Sequence, residues 1–315
     1  MGELILHHFD WSPFAEKVRV VLGLKGLEWD SVQIPMILPK PDLMPLTGGY
    51  RKTPVLQIGA DIYCDTRLIA RELERRFPTP TLFPDGQRGL ALALSHWSDT
   101  AFFEPGAGLS MALAKEVPQA VVADRKKLFE FMDFTQLDAR VPYLLTQLRA
   151  NAALVEEQLG DGRPFLLGQR PGWADINAYF PLWMARTFVP GAVEPLLAPN
   201  TRTAAWEARI RAFGHGKRTD IDAADALQIA NRATPLPGKG IDESDPLQLR
   251  EGEHVSVTPD DYGKVPVTGA LVTLTLDEVA VARSADRVGM VVTHFPRIGY
   301  RIVRAAAEIR GGGAR

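Results

Sequence analysis

Apolar and polar positions fall into three regimes along the chain, each predicting a different kind of structure. The apolar run 4–9 predicts a buried strand. Asp10, Trp11, Ser12 and Pro13 punctuate it; Ser12 is a favoured N-cap type and Pro13 suits the first helical position. Phe14, Val18, Val21, Leu22 and Leu24 then recur at helical spacing, with Gly23 and Gly26 near the end. Trp29, Val32 and Ile34 give a second strand over 28–34. Pro35, Pro39, Pro41 and Pro45 interrupt regular structure, because each lacks a backbone donor. Segments 55–58 and 61–63 flank Gly59 and Ala60 as a hairpin. Asp65 and Thr66 open a helix with Leu68, Ile69, Leu73 and Phe77 on one face. Residues 1–85 therefore read β-α-β-irregular-β-β-α, an α/β domain.

Residues 89–213 carry helical spacing throughout and predict an all-α domain, with helices over 90–111, 121–139, 143–159, 173–188 and 202–213. Pro142 is expected to separate or kink the two middle helices. Glycines and prolines then mark a linker, 214–248, with one short helix after Asp222. From 249 to 304 about five short strands alternate with turns, as in a small all-β, barrel-like module, and 305–315 reads as a tail.

Composition narrows the function classes. The 315 residues carry a formal charge of -2, so no global basic field draws nucleic acid or anionic lipid. In the β module Arg283, Arg287, Arg297, Arg301 and Arg304 are accompanied by only Tyr262, Phe295 and Tyr300, too few aromatics for a single-strand nucleic-acid groove. Cys64 is the only cysteine, which excludes an intramolecular disulfide and a cysteine zinc cluster and leaves a small buried hydrophobe. His7 and His8 are adjacent on a strand and point apart, so they do not share a metal; one is expected half-buried and one packed on a helix. No stretch is long and apolar enough for a membrane span, and no signal peptide is legible, so the default location is cytoplasmic.

The segments Trp11-Ser12-Pro13-Phe14 through Arg19, Lys52-Thr53-Pro54-Val55-Leu56, Tyr63-Cys64-Asp65-Thr66 through Ile69, and Phe165-Leu166-Leu167-Gly168 followed by Ala174-Asp175-Ile176 resemble, in order and spacing, the glutathione transferase family. The resemblance covers about 3–213 and leaves the β module outside the usual two-domain pattern. It implies a thioredoxin-like domain that binds glutathione as co-substrate, a helical domain lining an electrophile pocket, a homodimer, and a detoxifying transfer of the thiol to a small apolar electrophile without a metal. Glutathione-dependent peroxidases and isomerases use the same site.

Residue by residue, the resemblance places the activating hydroxyl at Ser12, where the helix N-terminus also favours a thiolate; the same residue would serve as a plain N-cap. Thr53 and Pro54 match the family's cis-proline step, whose preceding backbone pairs with the cysteinyl part of the ligand. Asp65 and Thr66 match its usual Glu-Ser or Gln-Ser, for the γ-glutamyl ammonium and carboxylate, with Asp65 one methylene shorter. Arg51 or Lys52 would reach the glycyl carboxylate, and Phe9, Trp11, Phe102, Phe103 and Met111 are candidates for the electrophile pocket. Asp175 pairs with Gly172 as a structural cap. The β module is expected to dock on, or lid, the first two domains. The alternative is a non-catalytic protein of this fold whose β module recruits a partner.

Overall fold

The computed structural model describes residues 4–114 and 117–305, so the expected tail beyond Ala305 lies outside the described residues. The first segment runs β1 (Leu4–His8), α1 (Pro13–Leu24), β2 (Glu28–Gln33), α2 (Met44–Thr47), β3 (Val55–Ile58), β4 (Asp61–Cys64) and α3 (Thr66–Arg76). Strand β1 lies parallel to β2 and antiparallel to β3, and β3 pairs with β4 through the Gly59–Ala60 turn. Alternation along β1 sends Leu4 and Leu6 into one core with α1 and α3, and Ile5 into a second core on the other sheet face.

The helical segment comprises α4 (Arg88–Trp97), α5 (Phe103–Leu113), α6 (Gln119–Leu128), α7 (Leu137–Gln158), α8 (Trp173–Phe188), α9 (Pro190–Leu197) and α10 (Thr201–Arg211). A π-helical turn, Ser98–Phe102, joins α4 to α5. The helix expected over 121–139 stops at Leu128, and α7 starts at Leu137 and runs through Pro142. Pro142 sits near the helix start, so only the bond back to Asp138 is lost and the helix survives. Asp175 is wholly buried and accepts from the backbone N–H of Leu166 (2.8 Å) and Gly172 (3.0 Å) and from Trp206 Nε1 (2.8 Å). It thereby ties the start of α8 to both the preceding loop and α10.

The remaining chain wraps back along the sheet as β5 (Lys217–Asp220), α11 (Ala223–Arg232), β6 (Gly240–Ile241), β7 (His254–Pro259), β8 (Val267–Leu274), β9 (Glu278–Ala285), β10 (Gly289–Pro296) and β11 (Tyr300–Arg304). The stretch read as linker thus contains β5, which joins the free edge of β2. Its approach requires Gly23, where an added Cβ would lie 2.0 Å from the Gly214 carbonyl oxygen. The short helix α11 covers the second core with Ala226, Leu227 and Ala230. The expected β module is present, but it does not close on itself. Strand β10 pairs in parallel with β4, giving one sheet ordered β11-β7-β8-β9-β10-β4-β3-β1-β2-β5, with β6 beside β8. An edge strand carries unpaired backbone groups, and β10 satisfies those of β4.

At that seam His294 stacks on Tyr63 (ring centroids 4.5 Å apart). Its Nδ1 meets Glu278 at 2.8 Å and its Nε2 meets Asp61 of β4 at 2.9 Å. Lys239 pairs in turn with Glu278. Burial lowers the imidazole's proton affinity, but hydrogen bonds and charge from Asp61 and Glu278 outweigh it, and the net direction is upward. His7 and His8 differ from the expectation of one half-buried ring: both are buried. His7 pairs with Gln57 (2.8 Å) and His8 with Ser31 (3.0 Å), and burial first of all holds them down at about 4 and about 3.

Two consequences are measurable. With its folded pKa above the ordinary 6.5, His294 contributes fully below that value and loses its contribution as pH rises through the folded one. The wild-type Tm should therefore fall relative to that of His294→Gln as pH rises above the ordinary 6.5; parallel curves for the two proteins would refute the clamp. Asp175→Ala leaves three buried donors without their acceptor and should cost roughly 3 kcal/mol or more in urea unfolding. A loss below about 1 kcal/mol would reduce Asp175 to an ordinary cap.

Candidate functional site

The N-terminus of α1, the β3 entrance, the start of α3 and the helices α5 and α6 enclose a groove with two connected chambers. One is a cavity of about 450 Å³ and the other of about 540 Å³, and both are lined by Phe14, Lys52, Thr53, Phe103 and Tyr262. Ser12 opens into the first chamber. It caps α1 with extended backbone (φ -78°, ψ 118°), and its Oγ accepts the Ala15 N–H at 3.2 Å. That bond uses a lone pair and leaves the hydroxyl hydrogen to donate, at the positive end of the helix.

The first chamber also carries cations in its lining. Lys40, from the proline-interrupted segment, donates to the Arg51 carbonyl (3.0 Å) and to Thr53 Oγ1 (3.1 Å). Burial, then the neighbouring Arg125 and Arg51 charges, pull its ammonium down to about 7. Arg51 is held by Asp124, yet its Nε is buried without a partner among the described residues. The rest of the lining is largely apolar: Phe9, Trp11, Phe103 and Met111 all line this chamber, the Phe9 ring centroid 6.0 Å from Lys40 Nζ and Trp11 59% exposed. Phe102 departs from the expectation. It is fully buried in the core against Trp97, with ring centroids 5.0 Å apart. The π-helical turn inserts one extra residue before α5, which rotates the helix and turns Phe103 to the cavity in place of Phe102.

The second chamber is polar. Thr53 and Pro54 are joined by a cis peptide bond at its junction with the first. Asp65 caps α3 with φ 77° and receives the Arg67 backbone N–H (2.9 Å), Arg67 Nη2 (3.0 Å) and the Tyr300 hydroxyl (3.3 Å). Burial would raise its carboxyl, but Arg67 prevails and holds it at about 2. Thr66 begins α3 and lines the chamber with Asp99. Asp99 accepts from Lys17 Nζ at 2.7 Å, and that ammonium is wholly buried among the rings of Phe14, Trp173 and Phe180. Burial raises the Asp99 carboxyl and lowers the Lys17 ammonium.

The structure thus brings together Ser12, Lys52, Thr53, Pro54, Asp65 and Thr66 along one groove. Lys52 is engaged by Asp261 of the β module. Sequence reasoning passed over Lys40 and Tyr262 as groove residues: Lys40 is placed by Arg51 and Thr53, with only its setting between Pro39 and Pro41 as a local signal, and Tyr262 by chain folding back from far away. Cys64 is fully buried, and burial pushes its thiol up. Among the described residues no cluster of His, Cys, Asp and Glu has metal-binding geometry, and no helix is long and apolar enough to cross a membrane.

Residues 6–81 match the glutathione S-transferase N-terminal domain, and residues 119–212 match the glutathione S-transferase C-terminal domain. A crystal structure of a GST-like protein from Pseudomonas syringae is 37% identical, with a TM-score of 0.80 over 97% of this chain and 100% of that one, so the β module is shared with it. A rice transferase, OsGSTU1, solved with glutathione, is similar in fold at 23% identity and a TM-score of 0.50, over 67% of this chain and 86% of that one. Glutathione S-transferase U4 of Arabidopsis thaliana is 23% identical over 124 residues, 39% of this chain and 55% of the relative, so the match spans about half the relative's length. By its paired domain matches and a solved relative alike along nearly its whole length, the chain belongs to the glutathione S-transferase family.

Proposed function

We propose that the protein binds glutathione along the groove and transfers its thiol to a small apolar electrophile. The observation that carries this reading is the placement of Ser12 on a chamber whose lining combines the cations Lys40, Arg51 and Lys52 with aromatic and aliphatic side chains. In this reading the γ-glutamyl carboxylate takes the backbone N–H groups at the start of α3 and the Thr66 hydroxyl, and its ammonium faces Asp65 and Asp99. The cysteinyl backbone pairs with Thr53 as an added strand. The glycyl carboxylate lies by Lys40 and the unpartnered Arg51 Nε. Ser12 donates to the sulfur, and the helix end and Lys40 favour its anion, so the thiol proton passes to solvent. The thiolate then forms a bond to the electrophilic carbon; a leaving group departs with its electron pair, or an added double bond takes a proton from water. Phe9, Trp11, Phe103 and Met111 hold the apolar partner near the sulfur. A homodimer and a cytoplasmic location, as the family resemblance implies, belong to this proposal. The non-catalytic alternative is not favoured.

Ser12→Ala should lower kcat/KM for conjugation to chlorodinitrobenzene roughly tenfold or more while leaving the calorimetric Kd for glutathione within about threefold. An unchanged rate would remove Ser12 from the chemistry. Lys40 is protonated below its value of about 7, so glutathione affinity should weaken as pH rises through that value, although thiolate formation grows. Lys40→Met should raise the Kd about tenfold and abolish that pH dependence; an unaltered pH profile of Kd would rule out the carboxylate contact.

A further inference from the structure

The β7–β8 connection crosses the groove as a strap. Asp260 N–H donates to the Gly299 carbonyl at 3.0 Å, tying one end to the β10–β11 turn. Lys264 reaches Glu130 at 3.1 Å beyond α6, tying the other. Gly263 takes φ +59°, and a Cβ there would lie 2.9 Å from Leu128 Cδ1, so the strap lies flat on the end of α6. Between these anchors Tyr262 packs edge-on against Phe129 and Phe131, with centroids 5.5 and 5.9 Å away. Its ring face lies 4.2 Å from Lys52 Nζ, and Asp261 holds the same ammonium as an ion pair. Tyr262 lines both chambers, as Thr53 does, and so stands at their junction.

We propose that Tyr262 is a ligand-binding residue that the β module supplies to the groove, roofing the thiol-bearing residue of the bound peptide at Thr53. We propose with it that Asp261 competes for Lys52 with the glycyl carboxylate, which Lys52 would share with Lys40 and Arg51 in the first chamber. The inference rests on the glutathione reading above. A tripeptide spanning Thr66 to Ser12 passes the junction that Tyr262 closes. Once Lys52 turns to the ligand, the strap loses its ion pair and keeps its aromatic seat on Phe129 and Phe131. The ring therefore sets how long the peptide stays, and the acid sets how readily it enters.

The two residues should act in opposite directions, which general loosening of the fold does not do. In stopped-flow fluorescence with glutathione, Tyr262→Ala should raise the dissociation rate about tenfold and Tyr262→Phe should restore it to within about twofold, because the ring and not the hydroxyl makes the roof. Asp261→Asn should raise the association rate about threefold and lower Kd, an effect that shrinks at high salt. Thermal melts verify that each variant is folded. Asp261 is half-exposed, so Asp261→Asn decides the case if Tyr262→Ala does not fold. Wild-type rates in Asp261→Asn and in folded Tyr262→Ala would overturn the roof while leaving the glutathione site standing. No heat on titrating the wild type with millimolar glutathione would overturn the glutathione reading and the roof with it.

Discussion

The parallel pairing of β10 with β4 is the constraint on which the rest of this molecule depends. Without it β4 would be a bare edge of a five-stranded sheet. With it, the last third of the chain becomes a continuation of the first. His294 reinforces the seam by bridging an acid on each side, Asp61 from β4 and Glu278 from β9. Because the register of that seam is fixed, so is the reach of the loops beyond it. Tyr300 arrives within hydrogen-bonding distance of Asp65, and the strap arrives over Lys52. The β module is in this sense a wall of the groove as well as an addition to the sheet.

The groove itself balances buried charge. Lys17 pairs with Asp99, Arg67 with Asp65, and Arg51 and Arg125 with Asp124, each pair largely withdrawn from water. Such pairs add little net stability, but they hold their members in fixed places around the chambers. Lys40 differs, since it donates to a carbonyl and a hydroxyl and keeps a titratable ammonium in the chamber that Ser12 also lines. The Ser12 chamber thus holds the cation that lacks a carboxylate partner within ion-pair distance among those described above.

Much of this was legible in the sequence, for physical reasons. Period-two and helical spacing located the strands and helices of the first segment, and Ser12, Pro54 and Asp65 are residues whose backbone chemistry is local: an N-cap, a cis proline and a helix start at positive φ. The cavity residues were less legible. Phe102 and Phe103 are neighbours, and only the π-helical turn decides which of them faces the core. Pro142 was given more weight than its position near a helix start warrants. Tyr262 and Asp261 are far from the groove along the chain and reach it through a strand pairing that no local pattern announces. The same holds for β5, four exposed residues with no apolar signature at all.

Cys64 gives the groove a last property. It follows Tyr63 at the end of β4 and directly precedes Asp65, one residue from the polar chamber, yet its sulfur is sealed in the second core and held as a thiol by burial. Alkylating compounds consume exposed thiolates. A chain whose sole sulfhydryl is walled off offers such compounds no thiolate of its own to modify, so a reactive molecule can enter the groove without capture by the protein's cysteine.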